Sequence, residues 1–166
     1  MKAIRPLTAN DLPRLIEFWI EHWGGDEMIV HGDVFRPEQL NGFVTEDWSG
    51  VVTYIIQNGS CEIISLNSLK EKRGVGTALI NEVINEARKQ NCRRLFLVTT
   101  NDNLHALGFY QRHGFELACV RRGAVDEARK IKPGIPVIGI NNIPLRDEVE
   151  LEMSFPCGDS VRGAKP

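Results

Sequence analysis

The segment from Ile64 to Ile80 joins an apolar run to a helical pattern through Lys70, Lys72, Arg73, Gly74, Val75, Gly76 and Thr77. A helix that starts in such a turn exposes backbone N–H groups that no earlier carbonyl can satisfy, together with the positive end of its dipole. Anions settle at that position. Gly74 and Gly76 remove Cβ atoms where a ligand must approach the backbone, and the three cations add charge nearby. The anion is narrowed by exclusion. No G-x-x-x-x-G-K-[ST] loop occurs. A dinucleotide fingerprint would need a third glycine at position 79, which is Leu79, and a parallel βαβ unit around it. Taken alone, the turn is either an anion site or an ordinary strand-to-helix connection.

Other reactive side chains are scattered. Cys61, Cys92, Cys119 and Cys157 form no CxxC pair and have no clustered histidine, so neither a metal site nor a disulfide framework is expected. An acyl-cysteine at Cys61 or Cys119 would need a base partner that the sequence does not reveal. His31 and His105 are candidates for proton transfer, although a lone histidine is more often structural.

These residues must be positioned by a chain that alternates strands and helices. Lys2 to Leu7 reads as a strand. Leu12, Leu15, Ile16, Trp19 and Ile20 recur at helical spacing up to Trp23-Gly24-Gly25. Residues 26 to 40 read as irregular, with a short helix after Arg36-Pro37. Gly42 to Glu46, Val51 to Gln57 and Cys61 to Leu66 read as three antiparallel strands, with Asn58-Gly59 marking a tight hairpin. Gly74 to Gln90 carries an apolar stripe of Val75, Leu79, Val83 and Ala87 beside Ile80 and Ile84. Leu95 to Thr99 is an apolar, internal strand. Asn103 to His113 is a helix closed by Gly114, Phe115 to Val120 a strand, Ala124 to Ile131 a short helix, and Val149 to Phe155 a last strand pairing with Phe115 to Val120.

The 166 residues suit one domain with a real core. A net charge of −2 argues against a nucleic-acid partner, since the basic clusters are only pairs and triplets. No apolar run approaches the ~20 residues of a membrane span. The first residues, Met1 to Pro6, lack the apolar centre of a signal peptide, so a cytoplasmic location is expected. Residues 157–166 lack periodicity and are expected to be a disordered tail after a domain spanning 1–156.

The run Lys72-Arg73-Gly74-Val75-Gly76-Thr77-Ala78-Leu79-Ile80 after an apolar strand resembles the acetyl-CoA signature of the GNAT superfamily of N-acetyltransferases. There an Arg or Gln, two residues and then G-x-G or G-x-A hold the CoA pyrophosphate through backbone amides; here the Arg/Gln position is Glu71. Downstream, Asn103-Leu-His-Ala-Leu-Gly-Phe-Tyr-Gln-Arg-His-Gly-Phe-Glu116 is similar to the family's N-x-x-A-x-x-(F/L)-Y-x-x-x-G-F motif, one strand and one helix later, as in the family. The resemblance covers about residues 2 to 155. It implies an α+β single domain: a mixed, mostly antiparallel central sheet flanked by helices, in which the strands at Cys61–Leu66 and Leu95–Thr99 splay to admit pantetheine.

The same resemblance implies roles. Ile64 and Leu66 would pair with pantetheine, with a backbone N–H near Leu66 supporting the thioester carbonyl. Lys72, Arg73, Gly74, Val75, Gly76 and Thr77 would hold the pyrophosphate, and Asn103 would contact CoA. Tyr110 matches the tyrosine that faces the CoA sulfur as general acid, and Glu62 resembles the general-base glutamate of the histone-acetylating branch. Acetyl-CoA is the implied co-substrate, with no metal, and a small-molecule or peptide amine is the acceptor; a homodimer is an accompanying expectation. The stretch from Arg121 to Glu148 is an excursion seen in a subset of bacterial members. Its Arg121, Arg122, Arg129 and Lys132 could take an acceptor carboxylate or phosphate, and its Asp147 and Glu148 a cationic amine; covering a sheet edge or making a dimer contact is the plainer reading. A non-catalytic acyl-CoA sensor on the same fold and an unrelated phosphate-binding module are the competing functions.

Overall fold

The computed structural model describes residues 3–69 and 74–156. Lys72 and Arg73, expected at the anion turn, lie outside the described residues together with Glu71, as does the tail from 157.

The chain runs β1 (Ile4–Pro6), a 3-10 turn at Ala9–Asp11, α1 (Leu12–Trp23), β2 (Met28–Val30) and β3 (Asp33–Phe35). A second 3-10 turn, Pro37–Gln39, leads into β4 (Asn41–Thr45), β5 (Gly50–Gln57) and β6 (Ser60–Ser68). Then come α2 (Val75–Lys89), β7 (Arg94–Thr100), α3 (Leu104–Arg112), β8 (Glu116–Arg121), α4 (Ala124–Ile131) and β9 (Glu148–Ser154). Seven strands form one sheet in the order β1-β4-β5-β6-β7-β9-β8. Every pairing is antiparallel except β6 with β7, where α2 is the crossover. This is the expected α+β sheet.

Side chains alternate along the strands, and each face of the sheet has its own core. On one face α2 buries Val75, Leu79, Ile80, Val83 and Ala87 against Val52, Ile63, Leu95, Leu97 and Leu151. On the other, α1 buries Leu15, Phe18 and Trp19 against Val44, Val51 and Ile64, joined by Met28 and Phe35. α1 stops at Gly24, whose φ of +73° is the left-handed conformation that glycine adopts without penalty.

Two local features place the site. Tyr54 pairs with Ile63 and Thr53 with Ser65, so β6 carries one residue more than β5 at Ile64. Such a bulge bends a strand and sharpens its twist. At the same point β6 leaves β7: their ladder covers only Ser60–Ile63 against Arg94–Leu97. The β7-facing edge of β6 beyond Ile63 therefore has no strand partner, and the splay expected between these strands is present. The second feature corrects the reading of residues 26 to 40 as irregular. Met28 to Phe35 is a hairpin, β2 paired with β3 through His31 and Gly32. Three residues per strand are too few to show alternation, and the turn lacks an Asn-Gly signal.

Candidate functional site

The first half of the site is a cleft of about 670 Å³ where β6 parts from β7, lined among others by Leu66, Gly74, Gly76, Thr77, Asn103 and Tyr110. Its floor is the start of α2. Among the described residues the first backbone bond there runs from Ala78 N to Gly74 O at 2.9 Å, which makes Val75, Gly76 and Thr77 the first turn, where N–H groups lack intrahelical carbonyls. Gly74 caps this end with φ +72°. At Gly76 a Cβ would come within 3.3 Å of Phe109 Cζ, so a side chain there would crowd the cleft. Open amides, a helix dipole and a bare backbone suit a pyrophosphate. Ile64, in contrast, turns its side chain into the α1-face core, leaving only its backbone for the splay.

α3 forms the opposite wall. Asn103 is its N-cap, with Oδ1 accepting from Ala106 N at 3.1 Å, and it also lines the cleft, so capping and ligand contact are compatible. Tyr110 is 7% exposed and packs edge-to-face between Phe109 and Phe115. Burial holds its phenol well above the usual tyrosine range. A contact invisible in sequence ties the walls together. The carbonyl of Phe109 can only accept, so His113 Nδ1, 2.7 Å away, carries a proton; in the neutral ring Nε2 then accepts from Thr77 Oγ1 at 2.9 Å. His105 sits exposed at the cleft rim, stacked on Phe109.

The second half lies on the α1 face, beside the splay. Glu62 precedes the bulge and is 6% exposed. Its Oε1 lies 2.8 Å from His31 Nε2. Burial pushes the Glu62 carboxyl up from the ordinary glutamate range, partly opposed by the His31 ring. His31 occupies the β2–β3 turn with φ +44°, an uncommon conformation for a side chain of its size. Its backbone N–H donates to Glu148 Oε1 at 3.3 Å, while Glu148 Oε2 is buried with no partner. Next along β9, Glu150 is neutralised: burial works against its charge, but Arg121 at 2.5 Å and Arg94 at 3.0 Å hold it below the usual range.

The excursion from Arg121 to Glu148 divides accordingly. Arg129 donates to the carbonyls of Ile135, Pro136 and Leu145 and pairs with Asp126, so it holds the loop together. Asp147 pairs with Arg146 and accepts from Gly123 N, which depresses its pKa. The loop is pinned beside the start of α3: Asp102 Oδ2 accepts from Ile140 N at 2.7 Å, and Gly139 leaves no room for a Cβ against that carboxylate. Arg121 is taken by Glu150, and Glu148 accepts from the backbone N–H of His31. Cys61 is fully buried, with its thiol pushed up to about 12 by burial, which disfavours the nucleophilic thiolate, and Cys119 lies exposed on β8. Among the described residues, no cluster of three or more His, Cys, Asp or Glu is arranged to hold a metal ion, and no helix is long and apolar enough to cross a membrane.

A seven-stranded sheet splayed over an open helix start, with a buried tyrosine on one side and a carboxylate on the other, is the framework of an acyltransferase. The Acetyltransferase (GNAT) family model matches residues 14–115, and the chain belongs to that family. Two Bacillus subtilis proteins of uncharacterized function are similar along most of their length. YdhI is 43% identical over 153 residues, covering 90% of this chain and 96% of its own. YxbD is 41% identical over 138 residues, covering 81% and 87%. Among solved structures, a Bacillus subtilis acetyltransferase in complex with CoA superposes with a TM-score of 0.68 at 18% identity, over 94% of this chain and all of the other. The IAA acetyltransferase of Bacillus cereus superposes with a TM-score of 0.70 at 17% identity, over 92% and 99%. At these identities the superpositions speak for the fold, and the fold agrees.

Proposed function

We propose that the protein transfers the acetyl group of acetyl-CoA directly to a primary amine of a small molecule or peptide. The observation that carries this reading is the junction at the splay, where the open start of α2, the unpartnered edge of β6 and Tyr110 line one cleft while Glu62 stands on the adjoining face. The superposed Bacillus subtilis acetyltransferase, whose structure contains CoA, supports the choice of thioester.

The amides of Val75, Gly76 and Thr77 hold the pyrophosphate, with Asn103 on the opposite wall. A backbone N–H near Leu66, on the free edge of β6, supports the thioester carbonyl as negative charge develops on its oxygen; one such donor is worth roughly 3 kcal/mol. Glu62 takes the proton of the amine as it attacks. Tyr110 gives its proton to the departing sulfur. A phenol raised by burial is a poor acid toward a hydrated thiolate, but the sulfur shares the dry pocket. Burial drives a thiol upward by the same physics, as Cys61 illustrates. The donor and the thiolate rise together, and transfer stays feasible.

The test is an acetyl-CoA thiol-release screen over amino acids, polyamines, aminoglycosides and peptides, alongside equilibrium binding of acetyl-CoA, ATP and NAD. Turnover with an amine is the expected result. Binding of acetyl-CoA without turnover on any amine would point to a sensor instead, and no affinity for acetyl-CoA would sink both.

A further inference from the structure

Glu62 is nearly sealed from solvent, so as a base it has a difficulty: a proton taken from the amine must leave before the next turnover. The structure contains a way out. His31 Nε2 lies 2.8 Å from Glu62 Oε1, and its Nδ1 lies 3.2 Å from Asp33 Oδ2. Side-chain exposure rises along this series from 8% at Glu62 to 19% at His31 and 72% at Asp33. Three titratable groups thus run from the buried carboxylate to bulk water, with no other side chain between them.

We propose that His31 is the relay that carries the acceptor's proton from Glu62 to solvent, with Asp33 stabilising the charged ring. The proposal rests on Glu62 being the base. The amine nitrogen loses its proton to the Glu62 carboxylate as the N–C bond forms and the C–S bond breaks. Glu62 passes that proton to His31 Nε2 and returns to a carboxylate. The imidazolium, paired with Asp33, then sheds one proton to water.

The hairpin is built to present this ring. His31 keeps its left-handed backbone in the two-residue turn between β2 and β3, and its N–H is fastened to Glu148 on β9. The ring meets Phe35 edge-on at 5.8 Å. A non-glycine residue held at positive φ is a small local cost that persists where the surroundings enforce it. Asp33 reaches the His31 ring from β3 and Glu62 from β6, Glu148 on β9 meets only the backbone N–H of His31, and Glu150 and Glu152 are already engaged by Arg94 and Arg121.

Left-handed φ also dictates the variants. Asparagine and glycine tolerate φ near +44° better than other residues, so His31→Asn and His31→Gly keep the turn while removing the relay. With the amine found in the screen, His31→Asn is expected to lower kcat at neutral pH by about 10²-fold, the lower end for a proton-transfer group. Acetyl-CoA affinity should stay within about twofold, since the cleft does not include His31. The activity of His31→Gly should recover with added imidazole, which fits the vacated space and can carry a proton. Asp33→Asn should give a smaller fall and a displaced pH–rate profile. Wild-type kcat in His31→Asn, with Glu62→Gln inactive, would overturn the relay and leave the base standing. A fall in His31→Gly that imidazole does not relieve would also overturn it, reducing His31 to a structural role. An active Glu62→Gln would instead remove the base and the relay together.

Discussion

The proposed cofactor cleft and the proposed acceptor face sit on opposite sides of the same splayed strand and are built from different materials. The floor of the cleft is backbone, and among the described residues its lining is local in sequence: residues 66–68 and 74–77 on one side, and residues between Asn103 and His113 on the other. The acceptor face is made of side chains from a hairpin turn, a mid-sheet strand and the first residue of β9: His31, Glu62 and Glu148. Backbone amides at a helix start need no tuning, because their dipoles are fixed by the helix. Carboxylates and an imidazole acquire their chemistry from burial and from each other. A pyrophosphate is common to every CoA reaction, so a backbone cradle suits it; the amine differs between enzymes, and exchangeable side chains meet it.

If this division holds, variants on the two sides should separate into chemistry and affinity. Glu62→Gln should be the most damaging, lowering kcat by about 10² to 10⁴-fold, as for loss of a general base, with acetyl-CoA binding intact by calorimetry. The base works ionised, and burial raises its pKa. The acidic limb of kcat/KM in the wild type should therefore lie above the ordinary glutamate value of about 4.3, with the rate rising as pH climbs through that limb. An acidic limb at an unperturbed carboxylate value would break the assignment.

Tyr110→Phe comes next, with kcat down at least about tenfold and acetyl-CoA affinity nearly unchanged, because the ring packing survives and only the hydroxyl is lost. Unchanged kcat would remove Tyr110 from the mechanism. On the cleft side, Gly76→Val places branched carbon where even a Cβ meets Phe109 at 3.3 Å. Its Kd for acetyl-CoA should weaken by roughly tenfold, about 1.4 kcal/mol, while kcat at saturation is retained. Thr77→Val should have the smallest effect. It deprives His113 Nε2 of its donor and should cost about 1 kcal/mol in denaturant stability, with kcat unaffected. A kcat effect from Thr77→Val larger than that from Tyr110→Phe would dissolve the contrast between the two sides.

Legibility followed the same line. The glycine turn and the α2 stripe could be read because they are local: helix starts and 3.6-residue periodicity leave their marks within a dozen residues, whereas the roles of Asn103 and Tyr110 were suggested by the resemblance. Glu62 was legible only as a glutamate on an alternating strand, and only the resemblance suggested a role. The hairpin at Met28–Phe35 was missed because its strands are three residues long. His31 drew notice merely as a histidine. Nothing in sequence links positions 31, 62 and 148, and Glu148 was read beside Asp147 as an acceptor ligand although the two diverge. Asp147 turns to Arg146 and Gly123, while Glu148 turns to His31. Adjacent strand residues face opposite ways, and only the pairing of β9 with β7 and β8 decides which way is inward.

Composition and periodicity were therefore sufficient for the long helices and strands and for the helix start after Gly74, which follow from short-range sterics and hydrogen bonding, whereas the sheet with helices on both faces was expected from the resemblance. The splay was expected from the resemblance alone; the tertiary structure fixed its place, after Ile63 and beside a one-residue bulge in β6 that exists only by reference to β5. The carboxylate–imidazole chain had to await the tertiary structure. Its members are separated by 31 residues between His31 and Glu62 and by far more to Glu148, and the fold alone brings them within hydrogen-bonding distance and buries the Glu62 carboxyl so that its pKa rises.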